Sequence, residues 1–128
     1  MQFDCLSAHA HHGGRKEDLL EFWKSVRKSI ARRKTKRPLV ICIDANSPLG
    51  SLASESVGDY AAEKETFASE PFHEFLQEHK IAFPATFEHF HDGPCHTFKH
   101  SSGITSRIDC IGVPAQWMPG VIKSWISH

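Results

Sequence analysis

The chain contains no CxxC pair, no HExxH, only one tyrosine and two methionines, and no excess charge of either sign. Each shortage excludes something. Without CxxC spacing, the usual zinc knuckles and thioredoxin-type redox chemistry drop out. No apolar run approaches the ~20 residues that span a bilayer. Met1-Gln2-Phe3-Asp4 opens with neither a basic nor an apolar signal region. A soluble, intracellular protein with no membrane partner is expected. Cys5, Cys42 and Cys110 lie inside short apolar runs, and Cys95 does not. They are expected as small buried strand residues in a reducing compartment, not as a disulfide scaffold.

What is present suffices for one domain. The 128 residues are 40% hydrophobic and 23% charged, enough for a core and too few residues for two domains. The zero net charge hides an asymmetry. Residues 15 to 37 carry ten of the fifteen Lys and Arg against Glu17, Asp18 and Glu21, leaving +7 there and −7 elsewhere. Such a block steers a polyanion, or else forms the solvated face of a helix and its exit loop.

The order of elements is that of an α/β layer. Gln2 to Ala8 suggests a strand, and Gly13-Gly14 breaks the chain. From Lys16 to Arg33, Leu19, Phe22, Trp23, Val26 and Ile30 recur at threes and fours, the apolar face of a helix. After Pro38, the run Leu39 to Ile43 predicts a strand buried on both faces. Residues 47 to 65 read as a loop. Thr66 to Lys80 predicts a second helix, with Pro71 in its first turn, and Ile81 to Phe83 a short strand. From Thr86 onward, short Thr/Phe/Ile/Val runs between Gly and Pro breaks suggest several strands.

Two acidic strand ends carry the candidate chemistry. Asp44 and Asn46 follow a buried strand and point to the same side, because side-chain direction repeats every two residues. A carboxylate and a carboxamide there suit a hard cation, or a phosphate and its attacking water; they equally suit a plain turn. Asp109 lies between Ile108 and Ile111 and needs a metal, a histidine or backbone donors if buried; on an exposed edge it would need none. Arg107 is not expected as its partner. Ten histidines are many for this length. His9, His11 and His12 follow the first strand, and His89, His91, His96 and His100 fall in later loops. A histidine at a strand end beside carboxylates serves as general acid or base near neutral pH.

Taken in order, these motifs resemble the endonuclease/exonuclease/phosphatase superfamily, which includes deoxyribonuclease I and the endonucleases of LINE-type retrotransposons. The strand-ending Gly-Asp-Phe-Asn-Ala of that family stands here as Ile43-Asp44-Ala45-Asn46-Ser47, and its Arg-Ile-Asp-Tyr-Ile strand as Arg107-Ile108-Asp109-Cys110-Ile111. Thr97-Phe98 matches the Thr-Phe upstream of that strand. Ser7-Ala8-His9-Ala10 resembles a family strand ending in a catalytic histidine or tyrosine. The resemblance implies half of a deoxyribonuclease I-like two-sheet sandwich with flanking helices, an α/β (α+β) fold over residues 1 to 128. It implies Mg²⁺- or Mn²⁺-dependent phosphodiester hydrolysis. In that scheme His9 is the general acid or phosphate-stabilising group, and Asp44 orients the attacking water or binds the cation. Asn46 holds a phosphate oxygen, and Asp109 orients a histidine or joins the metal.

The departures are equally specific. The family glycine before the acid is Ile43, expected to crowd the backbone near the phosphate. The N-terminal segment with the metal-binding Glu has no counterpart before Phe3. The terminal Ser-Asp-His-x-Pro would fall just after Trp125 to His128, and His128 lacks the flanking Asp and Pro. The expectation is a truncated or degenerate copy with weak or no activity alone, an exposed apolar face, and dependence on a missing half-domain or longer polypeptide. Nucleic acid is the expected substrate of the intact parent, with a nuclear location if the chain derives from a retroelement. The alternatives are a His-rich binding module without catalysis, or a phosphoinositide or phospholipid phosphoesterase.

Overall fold

The structure is a computed structural model, and it describes residues 1–127. His128, and the terminal motif considered around it, lie outside the described residues. Strand β1 (Asp4–His9) leads through Gly13 into helix α1 (Lys16–Ala31), which returns the chain to β2 (Leu39–Asp44). Helix α2 (Ser69–Glu78) follows a long loop, and then come the short strands β3 (Ile81–Ala82), β4 (His91–Asp92), β5 (Phe98–Lys99) and β6 (Thr105–Ser106). The longer β7 (Asp109–Pro114), a 3₁₀ segment over Ala115–Gly120 and β8 (Ser124–Trp125) complete the described chain. The protein is therefore mixed α and β, with a four-stranded sheet in the order β1-β2-β7-β3 and two two-stranded sheets, β4-β8 and β5-β6. Among the described residues, no helix is long and apolar enough to cross a membrane.

The first crossover obeys the sequence pattern. β1 and β2 are parallel, and α1 connects them. Glu17 and Asp18 sit in its first turn and Lys28 in its last, as the helix dipole favours. Its Leu19, Trp23 and Val26 are buried against one face of the sheet. Trp23 is fully enclosed and stacks against Phe72 and Phe75 of α2, with ring centroids 4.8 and 4.6 Å away. Across the helix pair, Arg27 donates to Glu78 at 2.7 Å and lies over the Phe75 ring. Pro71 falls in the first turn of α2, where its missing N–H costs nothing.

Strand β2 is buried on one face only, in contrast to the expectation from its five apolar residues. Leu39, Ile41 and Ile43 pack under the helices, while Val40, Cys42 and Asp44 are half-exposed on the other side. The same alternation runs through its neighbours. Cys110 and Gly112 of β7 face the helices; Asp109 and Ile111 do not. Gly112 is required by this packing, since a Cβ there would stand 2.6 Å from Ile81 and 2.7 Å from Ile41. Cys5 lies on the open side of β1 and is exposed, against expectation, and Cys110 is the buried thiol. Burial pushes Cys110 up to about 12, which leaves it protonated and inert.

The open face has a measurable cost in exposure. The chain presents 7995 Å² to solvent, against about 6,800 Å² for a folded monomer of its 14.4 kDa mass. Ile111, Ile122 and Trp125 are among the large apolar side chains left exposed.

Two histidines sit in the closed layer. Burial lowers both His73 and His79 below the ordinary imidazole value of 6.5. Their neutral forms are the ones the fold accommodates, so their stabilising contribution is intact above that value and is lost as pH falls below it. The melting temperature should drop between about pH 7.5 and about pH 5.5, with a smaller drop in His73→Leu. A melting temperature that rises on acidification over this range would contradict the assignment.

Candidate functional site

The register of three strands sets one row of side chains. His9 pairs with Asp44 across the parallel β1–β2 ladder, and Asp44 pairs with Asp109 across the antiparallel β2–β7 ladder. All three belong to the open face, because they share the phase of Ser7, Cys42 and Ile111 and oppose that of Ala8, Ile43 and Cys110. The row lies at the carboxyl ends of β1 and β2, where sites in α/β sheets gather. Ile43, expected to crowd this spot, is 3% exposed and points into the helix layer instead.

His9 and Asp44 are in contact, with Nε2 and Oδ2 3.4 Å apart. The other carboxylate oxygen of Asp44 accepts the Asn46 backbone N–H at 3.0 Å. One oxygen of Asp44 therefore makes the turn, and the other is left towards His9. Asn46 follows in the left-handed region, with φ 45°, a conformation Asn tolerates better than most residues. Its side-chain amide donates to the Ala10 carbonyl at 2.7 Å and stands 3.1 Å from His9 Nε2. The Ala10 carbonyl fixes which end of the amide is the nitrogen, so the second amide hydrogen points at the imidazole. In the neutral ring Nε2 then accepts from Asn46 and the proton sits on Nδ1. In the protonated ring Nε2–H faces Asp44.

Asp109 is exposed and opens into the same space. Its end of the strand is tethered by Thr97, whose Oγ1 accepts the backbone N–H groups of both Ile108 and Asp109 at 3.1 Å. The Thr97-Phe98 pair carried that signal in the sequence, but not the role. Arg107 does not partner Asp109. It is buried, and its guanidinium donates to the carbonyls of Cys95 at 2.9 Å and Tyr60 at 3.2 Å. These bonds pin the 60s loop and the 95–97 segment around the site.

His9, Asp44 and Asp109 line a cleft of about 890 Å³. Its floor is the open sheet face at Ser7, Cys42 and Ile111, and Lys123 and Trp125 belong to its wall. Like charges directly opposite each other in a ladder are unfavourable, and a cation placed against Asp44 and Asp109 would offset that repulsion. Two carboxylates open to water are a donor set that fits Mg²⁺, which retains most of its waters and takes one or two protein carboxylates. Among the described residues, no three His, Cys, Asp or Glu side chains are gathered closely enough to enclose an ion on their own. The later histidines do not supply such a group. His91 is buried and structural, bonded to Ser124 and to the Pro94 carbonyl.

The basic block lies elsewhere. Helix α1 covers the opposite face of the sheet, and residues 32 to 37 lead into the start of β2, about 17 Å from its Asp44 end at the usual strand rise. The +7 segment therefore does not line the cleft. No family model matches the chain, and no curated protein matches it in sequence.

Asn46 is the residue on which the arrangement of His9 turns. Asn46→Gly keeps the left-handed turn and removes the amide, whereas Asn46→Ala removes the amide and strains the backbone. Denaturant unfolding should place Ala about 1 kcal/mol below Gly, and both variants should shift the His9 ring resonances. Equal stabilities, or an unmoved His9, would refute this role.

Proposed function

We propose that the chain carries part of the active centre of a divalent-cation-dependent phosphodiesterase of the endonuclease/exonuclease/phosphatase type. The observation that carries the reading is the single row of His9, Asp44 and Asp109 on one open sheet face, with His9 in contact with Asp44. Asp44 and Asp109 would hold Mg²⁺ or Mn²⁺. When bound, the ion supplies charge stabilisation to a phosphodiester under attack by water.

The chain's own residues then take separate tasks. His9, set in place by Asn46, holds or delivers a proton at Nε2 on the cleft side. Asp44 uses Oδ2 towards His9 and the cleft, and Oδ1 to keep the turn. Asn46 is a positioning residue for His9, because its amide hydrogens are directed to Ala10 and to the imidazole. This differs from the phosphate-holding role that the resemblance implies for it. The uncovered sheet face, with Ile111 exposed on it, is where a second β-layer of a sandwich would pack. Nucleic acid is the substrate class we favour.

Supercoiled plasmid nicking tests the reading. We expect slow nicking that requires Mg²⁺ or Mn²⁺, stops with EDTA, and falls at least about 100-fold in Asp44→Ala and Asp109→Asn. No nicking with either ion, or nicking that is indifferent to EDTA and to both substitutions, would remove these aspartates from any such chemistry.

A further inference from the structure

The chain's four cysteines are all free, and the register of β1 and β2 brings two of them together. Cys5 pairs with Val40 and Cys42 pairs with Ser7, so Cys5 and Cys42 stand on a diagonal of the parallel ladder. Both belong to the open side of the sheet, because they share the phase of Ser7, His9 and Asp44. Burial and, after it, the neighbouring Cys5 thiol push Cys42 up, so the two sulfur atoms are within mutual reach. Solvent reaches both: Cys5 is exposed and Cys42 half-exposed. Cys110 faces the helices on the other side, and Cys95 lies in the segment between β4 and β5.

Geometry decides what such a pair can hold. Strands about 4.8 Å apart and a two-residue offset at about 3.3 Å per residue separate the two Cα atoms by about 8 Å. A disulfide requires less than about 7 Å, so the thiols do not close on each other without movement of the β1–β2 ladder. An ion between them suits a wider gap. Two metal–sulfur bonds of about 2.3 Å placed in line span about 4.6 Å, which thiols inclined towards each other across this diagonal reach.

The number of ligands then narrows the ion. Among the described residues, no three His, Cys, Asp or Glu side chains gather closely enough to enclose an ion, so Cys5 and Cys42 act without a third such ligand. Zn²⁺ seeks four ligands, and Mg²⁺ seeks oxygen. Monovalent copper selects soft sulfur and is satisfied by two thiolates in line. The half-exposed Val40 beside Cys5 makes one flank of the pair apolar.

We propose that Cys5 and Cys42 form a two-coordinate site for a soft, thiophilic monovalent cation, with Cu⁺ as its ligand. On binding, each S–H bond breaks, two S–Cu bonds form, two protons pass to water and the copper stays monovalent. Cys42 precedes Asp44 by two residues and Cys5 precedes His9 by four, so the pair lies towards the start of the strands from the His9–Asp44–Asp109 row. It does not depend on the activity assigned to that row.

Anaerobic titration of the full chain with Cu⁺ against a chromophoric chelator tests the proposal. One equivalent of copper should leave the chelator, with new sulfur-to-copper absorption in the ultraviolet and shifted resonances at Cys5, Val40 and Cys42. Cys5→Ser should weaken binding at least about 100-fold, the usual worth of a second linked contact. Because that side chain is exposed, the melting temperature of Cys5→Ser without copper should match that of the unaltered chain. Cys42→Ser should weaken binding as much. Cys95→Ser and excess Mg²⁺ should leave it unchanged. Cys5→Ser or Cys42→Ser that binds Cu⁺ as tightly as the unaltered chain, Cys95→Ser that loses it, or a chelator that gives up no copper would overturn the proposal. Copper that bridges two chains through Cys5 alone would do the same.

Discussion

Everything in this molecule depends on the register of β2 between β1 and β7. Side chains alternate with a period of two along each strand, so one register decides the fate of both faces. Pairing Ile43 with Ala8 and Cys110 sends the apolar set under the helices. The same choice brings His9, Asp44 and Asp109 into one row on the other side. A slip of β2 by a single residue would bury Asp44, part it from His9 and Asp109, and expose Ile41 and Ile43. The hydrophobic layer thus holds the polar row in place from the opposite face of the sheet.

The closed layer is where the stabilising burial lies. Trp23, Phe72, Phe75, Phe83 and Leu76 are enclosed almost completely, and each such side chain contributes a few kcal/mol by leaving water. Gly112 lets the core side chains approach β7 closely. The long loop over 47–65 also contributes, through Leu49 and Val57 in the core and through Glu65, which accepts from Ser51 and Leu52. The open face has no comparable cover. Its character comes from carboxylates, an imidazole and a few exposed apolar side chains, the composition of a surface that meets something else.

Much of this was legible in the sequence, and the remainder was hidden for identifiable reasons. Threes-and-fours spacing marked α1 to within two residues, and the apolar runs marked β2 and β7. Asp44, Asn46 and Asp109 stood out because each interrupts or ends such a run. The one-sided burial of β2 was not legible, because Leu39 to Ile43 is apolar at every position and only the missing cover on one side reveals the alternation. Cys5 misled in the same way. The role of Asn46 was hidden because it depends on a backbone angle and on the Ala10 carbonyl, which lies 36 residues away. The basic block was visible as charge, but its distance from the row follows from α1 crossing the opposite face. The 47–65 segment read as a loop from its Ser, Gly and Pro content, which gave no sign that Ser56 and Val57 are buried. Long-range packing, not local preference, sets those positions.

The central claim is that His9, Asp44 and Asp109 stand in one row along one cleft, and that a divalent cation binds there against the two carboxylates. Paramagnetic titration with Mn²⁺ addresses it directly, because broadening reports distance from the ion. The account predicts that resonances of His9, Asp44 and Asp109 vanish first while those of α1 persist, and that Asp109→Asn raises the Mn²⁺ concentration required. Broadening that begins at the later histidines, or that ignores Asp109→Asn, would contradict it.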